Sequence, residues 1–231
     1  GIPMGDLAGG MFAALAIASA LHAREKTGRG FKIDLGLLDC LASLLTYVAQ
    51  YYVVSGKVPK PIGSAHQSVV PYQAFKTKDI YIVVAVFTEK FWAGFCRAIE
   101  CGELIADPRF SANDMRAVNR RELIPILEKI FLKKMGAEWL EALNKEGVPC
   151  APINTIDKVL ADEQILAREM VVDILFGKKR LKMLGNPVKV SGAEQRYVRS
   201  PFLGEHTDEV LKSLLGYSDD ELKTLRKEGV I

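Results

Sequence analysis

The residues best placed to do chemistry are one carboxylate and two imidazoles, each set among small residues. Asp6 lies in Gly5-Asp6-Leu7-Ala8-Gly9-Gly10. Glycines on both sides of a carboxylate let a ligand or a neighbouring backbone approach it closely. The apolar run Met11–Leu21 behind it reads as a helix, whose start would aim N–H groups and the positive end of its dipole at the acid. That setting suits a reactive carboxylate. It equally suits a helix N-cap, the commonest use of an Asp before a helix. His66 sits in Gly63-Ser64-Ala65-His66-Gln67-Ser68, and His206 precedes Thr207. Either imidazole could be a general acid or base. Either could instead hydrogen-bond locally, and Glu205, Asp208 and Glu209 around His206 suit the dipole of a helix start.

Other chemistries are excluded. No P-loop and no dinucleotide fingerprint is present, and no Ser-His-Asp set can be assembled. Cys40, Cys96, Cys101 and Cys150 form no CxxC pair, and the chain has only 3 histidines, so no metal site is expected. Scattered cysteines in a chain with a full apolar core read as reduced thiols of a cytoplasmic protein. A net charge of +3 is too small for a nucleic-acid footprint, yet suits an anionic small molecule. Lys178-Lys179-Arg180 reads as a solvated hairpin tip. At 49% hydrophobic and 26% charged, 231 residues make one large domain or two small ones. The run Met11–Leu21 is too short to span a bilayer and no signal peptide is visible, so no membrane is expected.

The elements that must carry these groups follow from periodicity. A first helix is expected over Leu7–Lys26, apolar all round and therefore buried on several sides, with a stop at Thr27–Gly30. Phe31–Leu35 alternates as a half-buried strand. A long helix is expected over Leu37–Val54, then a loop over 57–70 broken by Pro59 and Pro61. Pro71–Phe75 and Ile80–Val86 read as a hairpin. Helices are expected from Thr88, over Arg116–Lys134 with a bend at Pro125, and over Ala137–Lys145. Gly147–Ile153 is extended, and Thr155 starts two short helical pieces reaching Arg168. Met170–Leu175 and Pro187–Val190 read as strands. Asp208–Leu215 reads as a helix, and Ser218–Glu221 is a capping box for the last one.

Several segments in order resemble one family. Gly5-Asp6-Leu7-Ala8-Gly9-Gly10, Lys26–Gly30, Asp34 with Leu37–Leu41, Pro71–Phe75, Asp107-Pro108-Arg109-Phe110, Gly147–Pro152 and Pro201–Thr207 are similar to motifs of the class III (CaiB/BaiF-type) CoA-transferases. The resemblance covers the whole length. It implies an α/β fold that is the C-terminal part of a family member, with an N-terminal half holding most of a Rossmann-like CoA-binding domain. Residues 1–56 would then end that large domain, and 57–70 would be a linker or active-site loop. Residues 71–185 would be a small α/β domain, and 186–231 would return to the large one. The family's interlocked homodimer would follow.

The resemblance also assigns roles. The family's catalytic carboxylate falls on Asp6, which would attack an acyl-CoA thioester and pass CoA to a small carboxylic acid through covalent aspartyl intermediates. CoA and acyl-CoA would be substrates, with no prosthetic group. A loop covering the site in family members, glycine-rich in some, falls on Gly63, Ser64, Ala65, His66 and Gln67. The similar α-methylacyl-CoA racemases use the equivalent Asp as acid/base, with an Asn four residues ahead of it; that position is Ile2 here. A third possibility is a non-catalytic fragment or assembly module.

Overall fold

A computed structural model describes residues 1–231. The first helix, α1 (Met4–Thr27), begins immediately after Pro3, whose fixed φ is pre-organised for helix entry. It therefore starts earlier than expected and takes Asp6 into its first turn. Gly28, at φ 70°, ends it by returning its N–H to the Arg24 carbonyl at 2.8 Å. The expected burial on several sides is not met within these residues. Only Ala8 and Gly9 are buried, while Met11, Leu15, Ile17 and Leu21 are exposed. By length and hydropathy α1 could cross a membrane, a test that a core helix also passes.

Phe31–Leu35 forms no strand, because its backbone groups find no ladder partner anywhere in the chain. The long helix expected over Leu37–Val54 is broken into α2 (Leu37–Ser43) and α3 (Thr46–Ser55), bent by 72°. At the break the Leu45 N–H reaches only three residues back, to Ala42, and Thr46 takes φ 46°. Gly56, at φ 67°, closes α3.

The compact core lies in the middle of the chain. The strands β1 (Tyr72–Lys76) and β2 (Tyr81–Ala85) form the expected antiparallel hairpin, with Phe75 opposite Ile82. Period-two alternation turns Ile82 and Val84 inward and leaves Tyr81 exposed. Helix α4 (Glu89–Ala98) starts where the Thr88 hydroxyl accepts the Phe91 N–H, and it sends Trp92 and Phe95 into the core. A short α5 (Glu103–Ala106) follows. The helix expected over Arg116–Lys134 is two: α6 (Asn113–Val118) and α7 (Arg120–Phe131). The break falls at Asn119, whose side chain ties the Arg109 and Met115 carbonyls together, and Pro125 is accommodated inside α7. Helix α8 (Gly136–Lys145) packs Trp139 on Phe131, and β3 (Cys150–Pro152) pairs with the free edge of β2. Outside 70–148 only Ala8, Gly9, Cys40, Gly185 and Leu222 are buried.

Two short helices, α9 (Ile156–Leu160) and α10 (Glu163–Ala167), lead to a separate hairpin of β4 (Val171–Phe176) and β5 (Lys179–Leu184). Gly177, at φ 61°, turns the chain straight back, so the partner of β4 is 179–184 and the strand expected at Pro187–Val190 is absent. The exposed Lys178 sits in that turn. The chain ends in α11 (Thr207–Leu215) and α12 (Asp219–Lys227), the latter opened by the expected Ser218–Glu221 capping box.

Candidate functional site

Of the glycines around Asp6, Gly9 serves a helix crossing and Gly5 lies on the same face. A Cβ on Gly9 would stand 2.3 Å from Leu37 Cδ2 of α2, and one on Gly5 would stand 3.6 Å from Leu41 Cδ1. Gly5 and Gly9, one turn apart, thus face Leu37 and Leu41, also one turn apart. Ala8 and Cys40 are buried at the same crossing. Asp6 is not the N-cap it could have been; that position is Pro3, and no side chain caps α1. Its carboxylate is exposed and makes no hydrogen bond or ion pair within the chain. The N–H groups of Gly5 and Asp6 donate to no backbone carbonyl, so the first turn offers donors and a positive dipole end beside a solvated carboxylate.

The segment Gly63–Val70 is held by side chains from several elements. Gly63 takes φ 65°, and the Ser64 hydroxyl accepts the Ala74 N–H at 3.0 Å. Ala65, His66 and Gln67 are half-buried. Nδ1 of His66 accepts the N–H groups of Ser68 and Val69 at 3.2 and 3.1 Å, and its ring stacks against Tyr47 and against Tyr72. Arg120 donates to the His66 and Gln67 carbonyls at 2.6 and 3.0 Å; burial pushes its pKa down. Asn113 bridges the Ser68 carbonyl and the Val70 N–H, at 2.8 and 3.0 Å. Arg116, fully buried, donates to the Val70 and Phe110 carbonyls and pairs with Glu89. Tyr51, Lys57, Lys60, Gln67 and Ser68 help line a 370 Å³ groove on the outer side of the loop. No hydrogen bond or ion pair joins Asp6 to any of these residues. Asn113, Arg116 and Arg120 were not singled out from the sequence; the available signal was polar residues at i, i+3 and i+7 beside apolar ones.

Residues 1–207 match the family model of CoA-transferase family III. The chain belongs to that family. It is 37% identical, over 235 residues and all of its length, to the succinyl-CoA:glutarate CoA-transferase of Homo sapiens. It is 34% identical, over 86% of its length, to the acetyl-CoA:oxalate CoA-transferase of Acetobacter aceti. A crystal structure of a CAIB/BAIF family protein from Brucella suis covers 91% of the chain with a TM-score of 0.77 at 36% identity. The chain spans about half the length of these relatives: 53% of the human protein, 50% of the Acetobacter protein and 55% of the Brucella chain.

Several of the segments whose spelling resembles CoA-transferase family III have structural work here. In Asp107-Pro108-Arg109-Phe110, Arg109 grips both Asp107 oxygens and reaches Glu122 at 2.7 Å, and these hydrogen bonds hold the Asp107 pKa below the usual carboxylate range. In Pro201–Thr207 the organising group is Glu205. It pairs with Arg199 and accepts the Phe202 N–H at 2.7 Å, and its pKa falls to about 2. His206 is the residue before α11 but makes no side-chain cap bond. Burial pushes the Cys96 thiol up to about 12 and raises Cys101 and Cys150, so these three are poor nucleophiles. No group of three or more His, Cys, Asp or Glu is placed to hold a metal ion.

Proposed function

We propose that the protein carrying this chain is a CoA-transferase that moves CoA from an acyl-CoA thioester to a small carboxylic acid, with Asp6 as nucleophile. The observation that carries this reading is the family match over residues 1–207, with relatives named as CoA-transferases over the whole chain. Both relatives' names pair an acyl-CoA with a dicarboxylate acceptor, which makes a dicarboxylate the first acceptor class to try.

In the proposed cycle an Asp6 carboxylate oxygen attacks the thioester carbonyl. The C–S bond breaks, CoA thiolate leaves, and a mixed anhydride forms. The thiolate then attacks the Asp6 carbonyl carbon, releasing the donor as its carboxylate and leaving an aspartyl-CoA thioester. The acceptor carboxylate attacks that thioester, giving a second anhydride and thiolate. Thiolate attack on the acceptor carbonyl yields the new acyl-CoA and restores Asp6. Each tetrahedral intermediate carries an oxyanion, which the unpaired N–H groups of the first turn of α1 are suited to stabilise. The cations Lys57 and Lys60 beside the loop suit anionic substrates, and Gly63–Gln67 would cover the site.

The same reading places the protein in the cytoplasm, its four cysteines being free, and makes it a homodimer. The exposed apolar side chains of α1, α2 and α3, Leu15, Leu38 and Val53 among them, suit burial against further chain. The boundaries proposed are those of the sequence reading, with the small domain at 71–185.

Asp6→Asn in the full-length protein tests the function. Transfer of CoA from succinyl-CoA to glutarate or oxalate should fall to background, and wild type quenched during turnover should yield a hydroxylamine-sensitive adduct on Asp6. Wild-type transfer by the variant would refute the nucleophile. Turnover without an adduct, together with epimerisation of a 2-methylacyl-CoA, would favour acid/base use of Asp6.

A further inference from the structure

We infer that His66 shapes the Gly63–Val70 loop as a hydrogen-bond acceptor, and that it is a positioning residue and not a proton-transfer group. This rests on the proposal that the loop covers the site. The lone pair of Nδ1 is already committed, accepting from Ser68 N–H at 3.2 Å and Val69 N–H at 3.1 Å. An imidazole that accepts at Nδ1 carries its proton on Nε2, so the atom it can still offer is a donor. A general base would have to release both backbone N–H groups before taking a proton.

The ring cannot move without breaking further contacts. Tyr47 of α3 and Tyr72 of β1 both stack against it, with centroids 5.6 and 5.4 Å away and interplanar angles of 26° and 5°. The His66 N–H donates to the Tyr72 carbonyl at 2.8 Å, and its carbonyl accepts from Arg120. Tyr51 of α3 meets Ser68 at 3.1 Å, and Asn113 of α6 holds the Ser68 carbonyl. His66 is thus where α3, β1 and the start of α7 are tied to the turn that sets the direction of Gln67 and Ser68.

Two substitutions separate the roles. Asn carries an amide oxygen close to the position of Nδ1, whereas Gln places its amide near Nε2. Full-length His66→Asn, His66→Gln and His66→Ala are compared by steady-state CoA transfer, its pH profile, and hydrogen exchange at the Ser68 and Val69 amides. Losing two ordinary hydrogen bonds that set the turn should cost about tenfold in kcat/KM. The expected result is near-wild-type activity and exchange for His66→Asn, with faster exchange and a raised KM for His66→Gln and His66→Ala. Loss of kcat in all three, with one limb of the pH profile gone and exchange unchanged, would overturn the inference by making His66 an acid/base. Unchanged exchange with full activity in all three would also overturn it. Faster exchange in His66→Gln at full activity would uphold the acceptor role and refute the placement of the loop over the site.

Discussion

Replacing Arg116 by Met should unfold the central core more easily by about 3–4 kcal/mol. The guanidinium is fully buried and donates to the Val70 carbonyl at 2.7 Å and the Phe110 carbonyl at 3.0 Å; both of those residues are also buried. Met fills most of the same volume, so the cavity left is small. It cannot donate, so two buried carbonyls lose their partner at about 1–3 kcal/mol each. Glu89, whose side chain is 54% exposed, regains water and adds little. The cation over the Trp92 ring, 4.6 Å from its centroid, is lost as well. Both tryptophans, Trp92 and Trp139, belong to this core, so fluorescence during urea unfolding reports on it alone. With a urea slope of about 2 kcal/mol/M the midpoint should fall by about 1.5–2 M. Arg116→Lys should fall between the two, since a compact ammonium lacks the rigid, spread fork with which the guanidinium reaches both carbonyls and Glu89. A midpoint lowered by less than about 0.5 M in Arg116→Met would refute the claim that these carbonyls depend on the guanidinium.

Pro125 is exposed inside α7 and withholds an N–H from the Arg121 carbonyl, so Pro125→Ala should stabilise the same fluorescence transition by about 1–3 kcal/mol. Thr88→Ala removes the acceptor for the Phe91 N–H at the start of α4 and should cost about 1 kcal/mol in that assay. Glu205 has its pKa lowered from 4.5 to about 2. A lowered carboxylate pKa stabilises above the ordinary value and loses that contribution as pH falls through the folded one. The Phe202 amide resonance should therefore titrate near pH 2, and a midpoint near 4.5 would show that the Arg199–Glu205–Phe202 cluster does not form.

Legibility followed the source of each element's order. The β1–β2 hairpin, the Thr88 cap and the Ser218–Glu221 box were readable because their causes are local: alternation, a turn and a capping side chain. Phe31–Leu35 alternates just as clearly but has no neighbouring strand, and a strand without a ladder is not formed. The break between α2 and α3 carries no Pro or Gly; it depends on a three-residue back-bond at Leu45 and a positive φ at Thr46. Pro125 was the visible breaker in the next long helix, yet the break came at Asn119, where a side chain holds two carbonyls from different segments. In both cases the decisive contact is one that composition does not announce.

Asp6 shows why a site can be readable as a family motif and still ambiguous residue by residue. An α-helix advances about 100° per residue, so Asp6 lies at the margin of the stripe that Gly5 and Gly9 turn toward Leu37 and Leu41. Gly9 suits that contact whether or not the carboxylate reacts, since a Cβ there would meet Leu37 at 2.3 Å. A helix-packing motif and a catalytic motif therefore predict the same spelling. What distinguishes them is the state of the carboxylate. A capping acid is bonded to backbone N–H groups, whereas Asp6 is solvated and unpaired, three residues before Gly9, where α1 comes closest to α2. Asp6→Asn keeps the shape and the first-turn position, so a loss of transfer without a loss of core stability would isolate the charge as the property the motif was built to present.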